Sequence, residues 1–171
     1  PKNIVDPFKI SPQSNKKVWI LCQEHEYHND NGGYLVIPYS FYRGTRCPYC
    51  SCTNGKVHPK DSFGQWLIDT YGEDAIEKYW SPKNNVNPFE IAPNTHRKIW
   101  ILCQDKEYHN DNGGYEITPN KFYDGRRCPY CNKNSGKVHH KDSFGSLYAE
   151  KAKYWSKNNK KSSFEISPKS N

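Results

Sequence analysis

A small α+β architecture, written twice in tandem and begun a third time, is the organisation encoded in this chain. Three observations lead there. The sequence repeats itself with a period of 81, so that Trp19, Cys22 and Cys47 reappear as Trp100, Cys103 and Cys128, and GKVHPKDSFG at Gly55 returns as GKVHHKDSFG at Gly136. About 37 of 58 positions coincide between residues 7–64 and 88–145, which marks an internal duplication. Each copy also carries two short apolar runs flanking a glycine-rich turn and then a helical stripe, the pattern of a hairpin followed by a helix.

In chain order, KKVWILC and RKIWILC read as buried strands that end on Cys22 and Cys103. NDNGG over residues 29–33 is turn chemistry, with Asn31-Gly32 able to supply positive φ, and YLVIP reads as the returning strand. KDSFGQWLIDTYG opens with Asp61 or Ser62 as N-cap, places Phe63, Trp66, Leu67 and Tyr71 near helical spacing, and has Gly72 as a stop. EDAIEKYW then predicts a second short helix in the first copy. In the second copy Phe144, Leu147, Tyr148, Ala152 and Trp155 are expected to continue one helical stripe without a break. These aromatics are expected in the core rather than as platforms for nucleobases, because a small module has little else to bury.

Downstream the register shortens by six: Trp80-Ser81 corresponds to Trp155-Ser156, and PFEIAPNTH to SFEISPKSN at the end. The turn-rich WSPKNNVNPFEIAPNTH segment is expected to belong to each module, with Phe8, Ile10, Phe89 and Ile91 as apolar anchors beside the hairpin. The expected domains are residues 1–80, a first module with its helices; 81–156, a second module with its helix; and 157–171, the start of a third repeat. Both ends read as cut from a longer array.

Between the copies one spacing is fixed, C-x5-H-x18-C-x2-C: Cys22, His28, Cys47 and Cys50, then Cys103, His109, Cys128 and Cys131. Four donors per copy suit tetrahedral zinc, the C-x2-C turn placing two sulfurs about 2.3 Å from one ion. A sulfur-rich set selects zinc over magnesium or calcium. Six extended residues would hold Cys22 about 20 Å from His28, whereas two donors to one ion lie within about 4 Å of each other. Residues 23–27 must therefore fold back. The duplication also sorts the rivals: His25 is answered by Lys106 and Cys52 by Lys133, so neither belongs to a shared site. His58 and His139 occur in both copies and stay open as alternatives to His28 and His109.

Two structural zinc ions are thus expected. Three cysteines per copy cannot pair internally, which argues against disulfides and for a reducing compartment, the cytoplasm. A catalytic zinc with an open position is the weaker reading, since Cys3His sites are usually closed.

The formal charge is +7, unevenly spread: residues 1–81 hold nine Lys/Arg against nine Asp/Glu, and residues 82–171 sixteen against nine. Two zinc-bound Cys3His sites lower the total to roughly +5. A mildly basic chain permits nucleic-acid binding without demanding it. The candidates are Lys16, Lys17, Arg43, Arg46, Lys56 and Lys60 in the first copy, and Arg97, Lys98, Lys121, Arg126, Arg127, Lys137 and Lys141 in the second. No apolar run approaches the length of a membrane span. A phosphate-cradling glycine loop, a serine nucleophile elbow and a dinucleotide fingerprint are all missing, so neither an enzyme nor a small-molecule site is expected in this segment.

The FEIAP stretch, the KIWILC run, the histidine that follows and G-x-x-C-P-Y-C together resemble the zinc-ribbon modules of the treble-clef class that occur as tandem copies in bacterial and phage proteins. That resemblance implies a zinc-held hairpin, a knuckle and a helix. Some members accompany repair-type or restriction-type endonuclease domains, which implies work on DNA or RNA within a larger protein. Many relatives place a Gly-His pair and a tryptophan closer to the first cysteine, where this chain has CQEHEYH and CQDKEYH. Three functions follow: a nucleic-acid-binding array, DNA before RNA; a protein-interaction or scaffolding array; and a histidine-metal nuclease built on KVHPKD and YHNDN.

Overall fold

The computed structural model describes residues 2–52 and 55–168; positions 169–171 of the third repeat lie outside them. Two hairpins form as the apolar runs dictate. Strand β1 (Val18–Ile20) pairs antiparallel with β2 (Tyr34–Val36), Trp19 lying opposite Leu35. The second copy pairs β3 (Ile99–Ile101) with β4 (Tyr115–Ile117) in the same register, Trp100 opposite Glu116. Both hairpins depend on one glycine: at Gly33 and Gly114 φ is positive, and a Cβ would run into the carbonyl of Ile20 or Ile101.

A one-turn helix follows each hairpin, α1 (Pro38–Tyr42) and later α4 (Pro119–Tyr123), each started by a proline that needs no N–H partner there. Beyond the knuckle of the first copy come α2 (Phe63–Tyr71) and α3 (Ala75–Tyr79). Gly72, at φ 97°, ends α2 by returning its N–H to the Ile68 carbonyl at 2.8 Å. Ser62 is the N-cap, its Oγ accepting from the Gln65 N–H at 3.0 Å, which leaves Asp61 free for the metal site.

The second copy departs from expectation. Its stripe is not continuous: α5 (Phe144–Leu147) and α6 (Ala149–Ala152) are separated at Tyr148, whose backbone sits at φ −130°, ψ 54°. The six residues absent relative to the first copy remove the room for a nine-residue helix and its glycine stop, and the chain turns one residue after Leu147.

The chain divides into two compact units, residues 1–66 with 88–92, and residues 67–87 with 93–171. The first unit corrects the expected position of the Phe89 and Ile91 anchors. They do not serve the hairpin that follows them in sequence. The Ile91 carbonyl accepts from the Phe63 N–H at 2.7 Å, and Phe89 covers Gly64 at the start of α2. The second unit repeats the arrangement, the Ile166 carbonyl accepting from Phe144 N–H at 2.7 Å and Phe164 covering Gly145. Phe8, the remaining copy of this anchor, is 97% exposed.

Within the second unit the segment ahead of the hairpin becomes part of its core. Tyr79 gives its carbonyl to the Leu102 N–H at 2.8 Å, Trp80 bridges to Ile101, and the rings of Tyr71 and Tyr79 pack on Phe122. Arg127 lies over the Phe122 ring at 4.2 Å and donates to the Tyr71 hydroxyl. Ile99, Ile101 and Phe122 are consequently fully buried, as are Leu67 and Ala75. An asparagine clasps the strand from the side: Asn84 exchanges both its amide groups with the backbone of Trp100, at 2.7 and 2.8 Å. Asn3 does the same for Trp19 in the first unit.

Candidate metal centre

The loop between the two strands of each hairpin carries the first cysteine and the histidine. A 3-10 turn, Glu26–Asn29 in the first copy and Glu107–Asn110 in the second, folds the loop back and buries His28 and His109. The fold-back is fastened by a residue that spacing alone does not single out. The Cys22 N–H donates to Asn29 Oδ1 at 2.7 Å, and Asn29 Nδ2 donates to the Cys22 carbonyl at 3.0 Å. Asn110 holds Cys103 identically, at 2.7 and 3.1 Å. One amide thus satisfies both backbone groups of the first cysteine and sets the histidine beside it.

Four donors converge in each unit: Cys22, His28, Cys47 and Cys50 in the first, and Cys103, His109, Cys128 and Cys131 in the second, with donor atoms within 4.8 Å of one another. His28 Nδ1 lies 3.6, 3.5 and 3.4 Å from the sulfurs of Cys22, Cys47 and Cys50, and the Cys22 and Cys50 sulfurs are 3.5 Å apart. The second set gives 3.6, 3.5 and 3.3 Å from His109 Nδ1, with 3.6 Å between the Cys103 and Cys131 sulfurs. A tetrahedron with Zn–S of about 2.3 Å and Zn–N of about 2.0 Å has edges of roughly 3.5–3.8 Å. The donors therefore fit zinc without rearrangement. A disulfide needs its sulfurs at about 2.05 Å, and all these cysteines are free.

Charge points the same way. Burial opposes ionisation of Cys22, but hydrogen bonds from the His25 backbone and from His28 bring its thiol down to about 6. Burial, then Cys22 and Cys47 alongside, push Cys50 up to about 12. Cys128 and Cys131 are likewise driven upward, burial being the largest cause. Three thiolates cannot share this space on their own, and a dication removes the conflict by deprotonating all of them.

The second imidazole nitrogen faces a carboxylate. His28 Nε2 is 2.6 Å from Asp61 Oδ2, and Tyr27 donates its hydroxyl to Asp61 Oδ1 at 2.5 Å. Asp142 takes the same place, 2.7 Å from His109 Nε2 and 2.6 Å from the Tyr108 hydroxyl, with Lys106 added at 2.8 Å. Burial works to raise both carboxyls, but these hydrogen bonds outweigh it and hold each below the usual carboxylate range. Such a carboxylate fixes the tautomer that presents Nδ1 to the metal and strengthens the ring as a donor. The repeated YHND and KDS strings carried this signal, but Asp61 reads equally well as a helix cap.

His58 and His139 stand next to the donor sets. The His58 ring packs against Tyr27, His28 and Tyr49, and its Nδ1 accepts from the Lys60 N–H at 3.3 Å. His139 repeats this with Tyr108, His109, Tyr130 and Lys141. They wall the ligating imidazoles and cap a short turn. Cys52, exposed at a positive φ of 48°, lies outside both sets.

The basic candidates Lys16, Lys17, Arg43, Arg46, Lys56, Lys60, Arg97, Lys98, Lys121, Arg126, Arg127, Lys137 and Lys141 are all exposed. Several have work inside their own unit. Arg46 and Arg127 tie the one-turn helices to the knuckles through the Phe41 and Phe122 carbonyls. Lys98 pairs with Glu116 and Lys141 with Asp111.

No helix among the described residues is long and apolar enough to cross a membrane. No curated protein and no solved structure matches the chain. Residues 76–134, which run from α3 through all four donors of the second site, match the family model described as "Probable Treble clef zinc finger domain", and this stretch is a zinc-binding, treble-clef-like module.

Proposed function

We propose that the chain is a non-enzymatic nucleic-acid-binding segment of a larger cytoplasmic protein, favouring DNA over RNA, with zinc as its structural core. The observation that carries the reading is the charge asymmetry: all of the excess positive charge belongs to residues 82–171. There Lys121 and Arg126, on α4 and the turn after it, and Lys137, beyond the Cys128–Cys131 pair, are exposed next to the elements that carry the donors. Side chains on a stiff support reach phosphates without a large ordering cost, and the affinity they give falls with salt in proportion to the number of phosphates neutralised. Arg127 belongs to the fold, so it is a poor choice for testing phosphate binding.

The test is fluorescence anisotropy with duplex and single-stranded probes over a salt series, comparing the wild type with K121E/R126E/K137E after checking that both retain two zinc ions. The expected result is a duplex slope shallower by about 0.9 for each phosphate that the variant no longer neutralises. Equal affinity in the two proteins would remove this reading. A second reading, a protein-interaction array, is favoured by the exposed apolar side chains Ile4, Phe8, Tyr42 and Tyr154; salt-insensitive capture of a protein with no shift of any nucleic acid selects it. Magnesium-dependent nicking lost on changing His58 and His139 would replace both with a nuclease.

A further inference from the structure

The chain holds seven cysteines, and the duplication accounts for six of them. The seventh, Cys52, stands where the second copy has Lys133 and follows the last donor of the first site by two residues, in CPYCSC. It shares a turn with that donor. Its N–H donates to the Tyr49 carbonyl at 3.3 Å, its thiol points at the same oxygen from 3.7 Å, and the Ser51 N–H donates to the Cys47 carbonyl at 3.2 Å. Cys52 is also the one described residue other than glycine whose φ is positive, at 48°, a region that residues with a Cβ seldom occupy.

Within each donor set the last cysteine is the most accessible sulfur. Cys50 is exposed and Cys131 half-buried, while Cys22, Cys47, Cys103 and Cys128 are buried. The same order in both units makes it a property of the knuckle itself. Cys52 is exposed as well. Two peptide units span at most about 7 Å between Cα atoms, and the turn over residues 49–52 shortens that span toward the roughly 4.4–6.8 Å that a disulfide bridges. An exposed thiol outside the donor set and an accessible donor sulfur in the same turn are the two parts of a reacting and resolving pair.

We propose that Cys52 and Cys50 form an oxidative modification site, where hydrogen peroxide joins them in a disulfide and the first zinc site loses a donor ahead of the second. Cys52 reacts first, because its sulfur lone pair is not shared with a metal ion. Its thiolate attacks one peroxide oxygen; the O–O bond breaks, the sulfur becomes a sulfenic acid, and the departing hydroxide takes a proton to become water. The Cys50 sulfur then attacks the Cys52 sulfur, the S–S bond forms, and the sulfenic hydroxide leaves and is protonated to a second water. Two electrons have passed from the two sulfurs to the peroxide. Cys22, His28 and Cys47 remain, and three donors no longer make the closed tetrahedral set of a structural zinc. Lys133 offers the second site no such route. This inference rests on the donor sets and is independent of nucleic-acid binding.

The test treats the full zinc-loaded chain with hydrogen peroxide, follows released zinc with a coloured chelator, and maps the cysteines by differential alkylation and fragment mass spectrometry. The wild type should release zinc in two phases, the faster one from the first site and matched by a Cys50–Cys52 disulfide within one molecule. Dithiothreitol and added zinc should reverse that phase. C52S should still load two zinc ions, since Cys52 is not a donor, and should lose the fast phase. K133C should give the second site a fast phase of its own. Release at one common rate from both wild-type sites, a fast phase that survives in C52S, or a disulfide that joins Cys52 to a second molecule each overturns the proposal. Oxidation of Cys52 with both zinc ions retained overturns it too.

Discussion

Each ligating imidazole in this protein has one nitrogen aimed at three sulfurs and the other at an aspartate, so the strength of the metal site is set partly outside the donor set. Asp61→Asn keeps the shape and removes the charge. It should weaken zinc at the first site by about 10–100-fold and leave the second unchanged, measured by competition with a coloured chelator. Asn110→Ala strips both backbone groups of Cys103 of their partner at a partly buried position. The expected cost is about 1–3 kcal/mol, read from denaturant midpoints with zinc in excess. The cysteine donors were legible in the sequence, because drift between the copies removed His25 and Cys52 from contention, whereas the choice of His28 and His109 over His58 and His139 needed the fold. The aspartates were not, because a carboxylate ahead of a helix reads the same whether it caps the helix or braces a ligand. Ser62 took the cap, and only the fold-back of the 26–29 turn brings Asp61 and His28 together from 33 residues apart.

Elements are where the near-identical copies diverge. Phe41 and Phe122 occupy the same place in the repeat, but only Phe122 is enclosed, by Tyr71, Tyr79 and Arg127. Phe122→Ala should therefore cost about 3–5 kcal/mol and Phe41→Ala clearly less, a contrast that thermal or urea unfolding of the two variants would expose. The hairpins, the knuckles and the pair α2 and α3 were readable from apolar runs, turn residues and Gly72. The break at Tyr148 was not, since the apolar spacing continues through it and only the six-residue deletion, a matter of length, forces the turn. The anchors Phe89 and Ile91 misled for a different reason. Sequence adjacency suggested the following hairpin, whereas the backbone bond from Phe63 to Ile91 closes onto the preceding copy.

For the whole molecule, the metal ions are what make so little apolar material sufficient. Small modules that bury few large side chains need such support. Native mass spectrometry should find two zinc ions per chain and Cys103→Ser only one, and chelation should abolish the near-ultraviolet dichroism, with zinc restoring it. A further consequence lies in how the helix starts are sealed. The strip that closes one helix is encoded beyond the apparent end of its copy, so the unit of inheritance and the unit of folding are out of phase. A cut after Trp80 would amputate a lid, while one placed past Ala92 would leave it attached. Residues 67–87 belong to the second unit and residues 88–92 to the first, so no single cut between the copies leaves both units whole.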